Sequence, residues 1–373
     1  MITICYFTSK PTDDVRVFYK ECTSLVNAGY KVYLISPNAK SEIRNGVNII
    51  GVNFNNKSLF GRLILLPRVL FKAALEINAD IYHFNDPGCL PYGVKLKNKG
   101  KKVVFDSFED HPLLLLENKR VPIYFMQLLI SIYKFYEFKA CKRFDAVICC
   151  YHWTQERLSK ACDLNGLIFN FPIVNESNLY PAKKIVNDNF TICYAGLLSE
   201  IWNIDEIFAS LDVMTNVHLK IAGHGDRRLV EKYRNSNSWN SVEFYGILKQ
   251  KEVFNSIYSC SDVGLALLDY LPLCKYTMGN MSNNKLFEYL LFGLPVICTD
   301  FYYWKEIVEN NNCGICVNPN DVHAIANAIK YLKTNPNIAY EMGQNGRKVV
   351  MEKYNWTVEE SKLLNIYQIM SSS

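Results

Sequence analysis

Two runs decide the fold: Ile2-Thr3-Ile4-Cys5-Tyr6-Phe7 and, after a polar loop and a helical stretch, Lys31-Val32-Tyr33-Leu34-Ile35. Both are short and apolar, as buried strands are. Between them Phe18, Cys22, Leu25 and Val26 recur at i, i+4, i+7 and i+8, the spacing of one helix face. Gly29 then stops the helix. Strand, helix and strand in so short a span make a βαβ unit, whose strands run parallel. Further strands are expected at Val47–Val52, Ile81–Phe84, Val103–Asp106 and Ala146–Cys149, which completes a doubly wound domain.

Between Phe171 and Asn189 the pattern lapses into a polar segment with Pro172, Asn175, Asn178 and Pro181, as a linker does. A second βα series follows, with strands expected at Phe190–Ala195, His218–Ala222, Ser241–Tyr245, Val263–Leu267, Pro295–Thr299 and Gly314–Val317. The reading is therefore α/β, with two Rossmann-like doubly wound domains facing a cleft: residues 1–175, residues 188–352, and a closing helix within 353–373. A chain of 373 residues suits two cores better than one. Ligands of open α/β sheets bind beyond the carboxyl ends of the strands. A nicotinamide-binding site needs G-x-G-x-x-G after an early strand, whereas Ser9-Lys10-Pro11-Thr12-Asp13-Asp14 follows the first one here.

Composition narrows the classes. The thirteen cysteines are odd in number and scattered through apolar runs, and the first residues show no export leader, so reduced thiols in a cytoplasmic protein are expected. Cys313 and Cys316 form a CxxC without a second pair, and their surroundings read as a strand, not a zinc site. A formal charge of +5 is mild and compatible with phosphate ligands. No nucleic-acid partner is expected. The longest uncharged stretch, Ile123 to Tyr133, is too short to span a bilayer. The wider run from Leu113 to Phe144 mixes leucines and aromatics with Lys134, Lys139, Lys142 and Arg143. It reads either as a core helix, the ordinary alternative, or as a surface resting on anionic lipid at the inner face of the cytoplasmic membrane.

The chemistry is concentrated in Asn283-Asn284-Lys285-Leu286-Phe287-Glu288-Tyr289-Leu290, followed by Phe292-Gly293-Leu294-Pro295 and a strand. Lys285 and Glu288 share one helix face. A cation in the first turn opposes the helix dipole, which makes sense where a diphosphate rests against Lys285 and the free N–H groups. Glu288, one turn in, suits the hydroxyls of a ribose. The bland reading of the same spacing is a solvated Lys–Glu surface pair. Gly223 and Gly225 permit close approach of backbone to ligand, or simply a tight turn.

From Tyr194 to about Tyr367 the chain resembles the donor domain of the family 4 glycosyltransferases, enzymes of the GT-B fold. The resemblance is carried by Tyr194-Ala195-Gly196-Leu197-Leu198-Ser199, Ile221-Ala222-Gly223-His224-Gly225, Ser261-Asp262-Val263-Gly264-Leu265, and Lys285 to Pro295, which is similar to a K-x-x-E-Y-x-x-x-G-x-P variant of surface-polysaccharide enzymes. The first half resembles the family more loosely, through Asp14 to Glu21, His83-Phe84-Asn85-Asp86-Pro87 and Phe105-Asp106-Ser107-Phe108-Glu109-Asp110. The resemblance implies a metal-independent transferase needing no cofactor. It would move a sugar, with retention, from a nucleotide-sugar donor to a glycan or lipid-linked glycan acceptor in cell-surface polysaccharide biosynthesis.

It also assigns roles. Glu288 matches the second glutamate of an E-x7-E motif, and Asn280 stands in place of the first. Gly196, Leu198 and Asn284 fall in the donor loop and helix start. Lys285 takes the diphosphate charge, because Leu197 or Leu198 and Trp202 hold the places of the family's arginine and lysine. From their position alone, Lys10 and Arg16, after the first strand, read either as cations facing the same phosphates or as ordinary surface charge, and Asp86 and Glu109, after first-domain strands, read as carboxylates orienting the acceptor hydroxyl, with a turn at Asp86-Pro87 the bland alternative. Phe108 replaces a histidine, with Glu109 and His111 beside it. These departures leave open an alternative of another class, a catalytically silent homologue that binds nucleotide or glycan as a scaffolding subunit.

Overall fold

A computed structural model of the chain describes residues 1–116, 122–174 and 190–372. The linker positions Asn175, Asn178 and Pro181 lie outside the described residues. The chain divides into two compact units, Met1–Asn170 with Trp356–Ser373, and Phe171–Asn355. The second unit begins at Phe171, well before the expected start at 188, and Phe171 is buried there, its ring 4.6 Å from that of Phe287 and 5.4 Å from that of Tyr354.

Among the described residues the first unit holds eight strands: β1 Thr3–Phe7, β2 Lys31–Pro37, β3 Glu42–Arg44, β4 Val47–Val52, β5 Ile81–Phe84, β6 Lys102–Ser107, β7 Ala146–Cys149 and β8 Asn165–Leu167. Their order is β3-β4-β2-β1-β5-β6-β7-β8, parallel throughout except for β3 against β4. Thr3 pairs with Lys31 and Phe7 with Ile35, while Ile4 to Phe7 pair on the other side with Ile81 to Phe84. All four residues of β5 are buried, as befits a parallel strand covered on both faces. Helices Leu66–Ile77, Leu90–Asn98 and Ile123–Cys141 share one core with Phe7, Tyr82, Phe84, Phe105 and Val147, and so form one layer over one sheet face. The closing helix, Trp356–Ser372, is part of this unit: Trp356 Nε1 donates to Ser24 Oγ (3.0 Å), Phe169 N donates to Glu359 (2.8 Å), and the Tyr367 hydroxyl meets His83 Nδ1 at 2.7 Å.

The second unit is a six-stranded, wholly parallel sheet: β9 Phe190–Ala195, β10 Val217–Ala222, β11 Val242–Phe244, β12 Val263–Ala266, β13 Val296–Thr299 and β14 Gly314–Val317, in the order β11-β10-β9-β12-β13-β14. Its core joins Ile192, Leu219, Leu265 and Ile297 to helices Ile204–Asp212 and Val322–Thr334. Cys316 lies on β14, and all thirteen cysteines are free.

The core reading of the run that includes Ile123–Cys141 holds for one face of that helix. Only Met126, Ile130, Glu137, Ala140 and Cys141 of that helix are buried. Most of its other large apolar side chains face water. Among the described residues no helix is long and apolar enough to cross a membrane.

Candidate functional site

The parallel order of the second sheet places the carboxyl ends of β9 and β10 side by side, and each strand runs straight into a glycine. Gly196 and Gly223 have φ of 152° and 146°, a region that side-chain-bearing residues avoid. Their backbones also touch. A Cβ on Gly223 would sit 1.8 Å from the carbonyl oxygen of Gly196, and a Cβ on Gly196 would sit 2.2 Å from Lys285 Cε. Gly196 N donates to Ala222 O (2.9 Å), which ties the two loops together, and Gly223 N donates to Gly246 O (2.7 Å), which ties the second of them to the turn after β11.

Above these glycines lies a pocket of about 360 Å³, lined by Ala195, Gly196, Leu197, Ala222, Gly223, His224, Ile247, Leu248, Gln250, Val253, Tyr258 and Glu288. Glu288 is its acidic side chain. Gln250 Nε2 (3.1 Å) and the Tyr258 hydroxyl (3.0 Å) donate to its two carboxylate oxygens and fix its direction. Burial, and then the nearby Glu288, hold the Tyr258 phenol well above its usual range, so that it acts as a neutral donor.

Lys285 is on the same helix, Asn284–Leu291, which Asn283 caps by accepting from Leu286 N at 3.4 Å. Its chain passes beneath Gly196, and its ammonium lies 3.4 Å from the centroid of the Trp202 ring and 5.4 Å from that of Tyr194. Burial pushes the ammonium down to about 8, against a weaker pull upward from Glu288. The tryptophan standing where a basic residue was expected is thus the platform on which Lys285 rests, an attraction of cation to ring face.

Lys285 packs against Gly196 but is not among the residues that line the pocket, and other expected donor residues also fall outside it. Asn280 is buried, with its side-chain amide nitrogen 3.5 Å from Cys274 Sγ and its backbone carbonyl accepting from Trp304 Nε1. Asn284 stands exposed at the helix start. Leu198 belongs to the hydrophobic core, and its N–H donates to His224 O (2.8 Å). Gly225 sits against Leu198 for the same reason: a Cβ there would lie 2.4 Å from Leu198 O. Both border a second, more open hollow of about 780 Å³ with Asp226 and Arg228. Gln250 and Tyr258 escaped the sequence reading. A polar residue shortly after the β11 turn was the one available hint, and nothing marked Tyr258.

In the first unit, adjacency of β1, β5 and β6 brings three loops together. Ser9 donates from both its N–H and its hydroxyl to Asp86 (2.6 Å each), and Lys10 Nζ lies 3.4 Å from Glu109 and 4.8 Å from the Phe108 ring. Lys10, Asp86 and Glu109 are all partly exposed.

Arg16 is a correction. It is not a cation open to phosphate: it is 4% exposed, donates from Nε and Nη2 to Asp106 (2.9 and 3.0 Å), donates from Nη1 to Ile168 O, and lies 3.0 Å from Glu21. A guanidinium surrounded by two carboxylates in the core is a structural ion cluster. Glu21, His83 and Asp106 offer donor atoms within 4.8 Å of one another, but Arg16 already supplies the positive charge there.

Comparison with known proteins fits this geometry. The model for glycosyl transferases group 1 matches residues 177–349, and that for glycosyltransferase family 4 matches residues 15–167. One match falls within each unit, and the two parallel-sheet α/β units with these likenesses fit a GT-B fold. It is 24% identical over 206 residues to the capsular polysaccharide biosynthesis glycosyltransferase CapM of Staphylococcus aureus, a match covering 54% of this chain and 52% of that one, so it spans about half of that relative's length. Sucrose-phosphate synthase from Thermosynechococcus elongatus superposes with a TM-score of 0.75 at 17% identity, covering 100% of each chain. Anabaena HepE in complex with UDP does so with a TM-score of 0.70 at 14% identity, again over 100% of both.

Proposed function

We propose that the chain transfers a sugar from a nucleotide-sugar donor to a glycan or lipid-linked glycan acceptor, with retention and without a metal, in surface-polysaccharide biosynthesis. The observation that carries this reading is the pocket at the ends of β9 and β10, where an oriented carboxylate and two tightly apposed glycine loops meet, with Lys285 packed against Gly196 of its lining. In it Glu288 accepts from the ribose hydroxyls. The glycine loops let the diphosphate approach the backbone closely. Lys285 meets the charge that develops on the leaving diphosphate, a task for a pre-placed cation in a partly dry site. Lys10, Asp86 and Glu109 serve the acceptor. The CapM match supports a surface-polysaccharide acceptor, and the fold shared with a protein solved with UDP supports a nucleotide diphosphate.

The test is transfer and donor hydrolysis over a panel of UDP- and GDP-sugars, alongside nucleotide binding by calorimetry. Lys285→Ala is expected to lower kcat/KM by about 10²- to 10³-fold. Glu288→Ala is expected to weaken nucleotide binding by about ten- to a hundredfold, the range for a hydrogen bond to a charged group. Nucleotide binding without turnover on any acceptor would instead establish a silent homologue, a reading that the inward-turned Asn280 favours.

A further inference from the structure

The CxxC of Cys313 and Cys316 has no part in the donor pocket, and the fold gives its two thiols different neighbours. Cys313 is fully buried, and its Sγ donates to Ile307 O (3.7 Å) in the helix Tyr302–Val308. Cys316 meets a third cysteine instead. Strands β13 and β14 pair in parallel register, Ile297 with Ile315 and Cys298 with Cys316, and the two sulfurs stand 3.7 Å apart. Ile297 and Ile315 pack in the core of Ile192 and Leu265. Side chains alternate along a strand, so Cys298 and Cys316 share the opposite sheet face.

The two thiols differ in access. Eleven of the thirteen cysteines are buried, Cys260 is exposed, and Cys316 is partly so. An oxidant in water therefore reaches Cys260 and Cys316 before the others. β14 is the last strand of its sheet, which puts Cys316 at the sheet's edge with Cys298 wholly buried behind it. Burial, and then the hydrogen bond to Cys316, hold the Cys298 thiol well above its usual range, so it keeps its proton and is not the sulfur that a peroxide meets first. Paired residues of adjacent strands have Cα atoms about 4.8 Å apart, inside the window of about 4.4–6.8 Å that a disulfide spans. The strand spacing thus admits a bridge.

We propose that Cys298 and Cys316 are a reversible oxidative modification site, which a hydroperoxide closes into a disulfide that clamps β14 to β13. The Cys316 sulfur attacks the peroxide, breaks its O–O bond and becomes a sulfenic acid, with release of water from hydrogen peroxide or of an alcohol from an organic peroxide. The Cys298 sulfur then attacks the sulfenic sulfur, and its proton leaves with the sulfenic oxygen as water while the S–S bond forms. The two sulfurs give up two electrons, which the peroxide takes. A thiol reductant that reaches the partly exposed Cys316 sulfur reverses the step by exchange. The inference stands apart from the donor pocket and does not depend on its assignment, since every residue lining that pocket lies between Ala195 and Glu288.

The test is treatment of the full chain with hydrogen peroxide, alkylation of the remaining thiols, and peptide mapping by mass spectrometry without reductant. The expected product is a pair of peptides joined through Cys298 and Cys316, lighter by two hydrogens, that dithiothreitol returns to two thiols. Cys260, being exposed, reports that the peroxide has acted. Cys298→Ala is expected to abolish the bridge and leave Cys316 as a sulfenic acid that dimedone traps. In a Cys260→Ser background the oxidised protein is expected to unfold at a higher denaturant midpoint than the reduced one. Cys316 still present as a thiol once Cys260 is fully oxidised overturns the proposal. So does a bridge from Cys316 to Cys313, or oxidation of Cys316 to the sulfinic acid with Cys298 unchanged. An unchanged midpoint after the bridge has formed overturns the clamp.

Discussion

Lys285 is held where burial opposes its charge, which pushes it down to about 8. A diphosphate beside it would favour the ammonium and raise that value again. Binding therefore takes up a proton above pH 8, and by linkage affinity is greatest below pH 8 and falls as the pH rises past it. We predict that the Kd for UDP rises by up to about tenfold per pH unit above pH 8, and that Lys285→Arg, which keeps its charge, flattens the profile. Calorimetry in buffers of different ionisation enthalpy measures both affinity and proton uptake. A flat profile for the parent protein from about pH 7 to about pH 10 would remove Lys285 from the nucleotide's surroundings. The place of Glu288 at the pocket was legible mainly through resemblance, since the spacing of Lys285 and Glu288 alone also suits a solvated surface pair. The role of Trp202 was not, since a ring facing a distant lysine looks in sequence only like a missing cation. Arg16 misled for the converse reason: a basic residue at a helix start reads as exposed, and only Asp106, 90 positions on, draws it into the core.

At the level of elements, the central strands could be read to within a residue or two because strands covered on both faces are continuously apolar. The edges of the first sheet could not. β3 is a three-residue strand turned back through Asn45 and Gly46, both at positive φ, and β8 is only Asn165–Leu167. Apolar content likewise could not tell a buried side of Ile123–Cys141 from an exposed one. The apposed glycine loops yield a sharper prediction. A methyl at Gly223 would collide with the Gly196 carbonyl and occupy a backbone region closed to alanine. Gly223→Ala should destabilise the second unit by about 1–3 kcal/mol and weaken nucleotide binding more than about tenfold. Gly100→Ala, at φ 75° with open space around it, is the control: it carries the backbone strain of about 1–2 kcal/mol without touching the pocket. Equal nucleotide affinity in the two variants, by calorimetry, would show that the loop contact does not shape the site.

Over the whole molecule the chain leaves its first unit at Asn170, builds the second, and returns at Trp356 to complete the first. The first unit is thus stabilised by residues far apart in sequence, and the pair Tyr367–His83 is the most deeply buried of these links. Burial, and then Arg16, hold the His83 imidazole well below its usual range, so it is neutral in the folded protein. The unfolded chain binds more protons there, and the first unit loses stability as pH falls below about 6.5. Tyr367→Phe removes the partner of a buried ring nitrogen, which should cost about 1–3 kcal/mol at neutral pH. Every residue lining the donor pocket lies between Ala195 and Glu288, in the other unit. The variant should therefore lower the denaturant midpoint while leaving the nucleotide Kd unchanged. Denaturant titration and calorimetry on one preparation decide the matter: a Kd that worsens in step with stability would mean that the two units do not hold their structures independently.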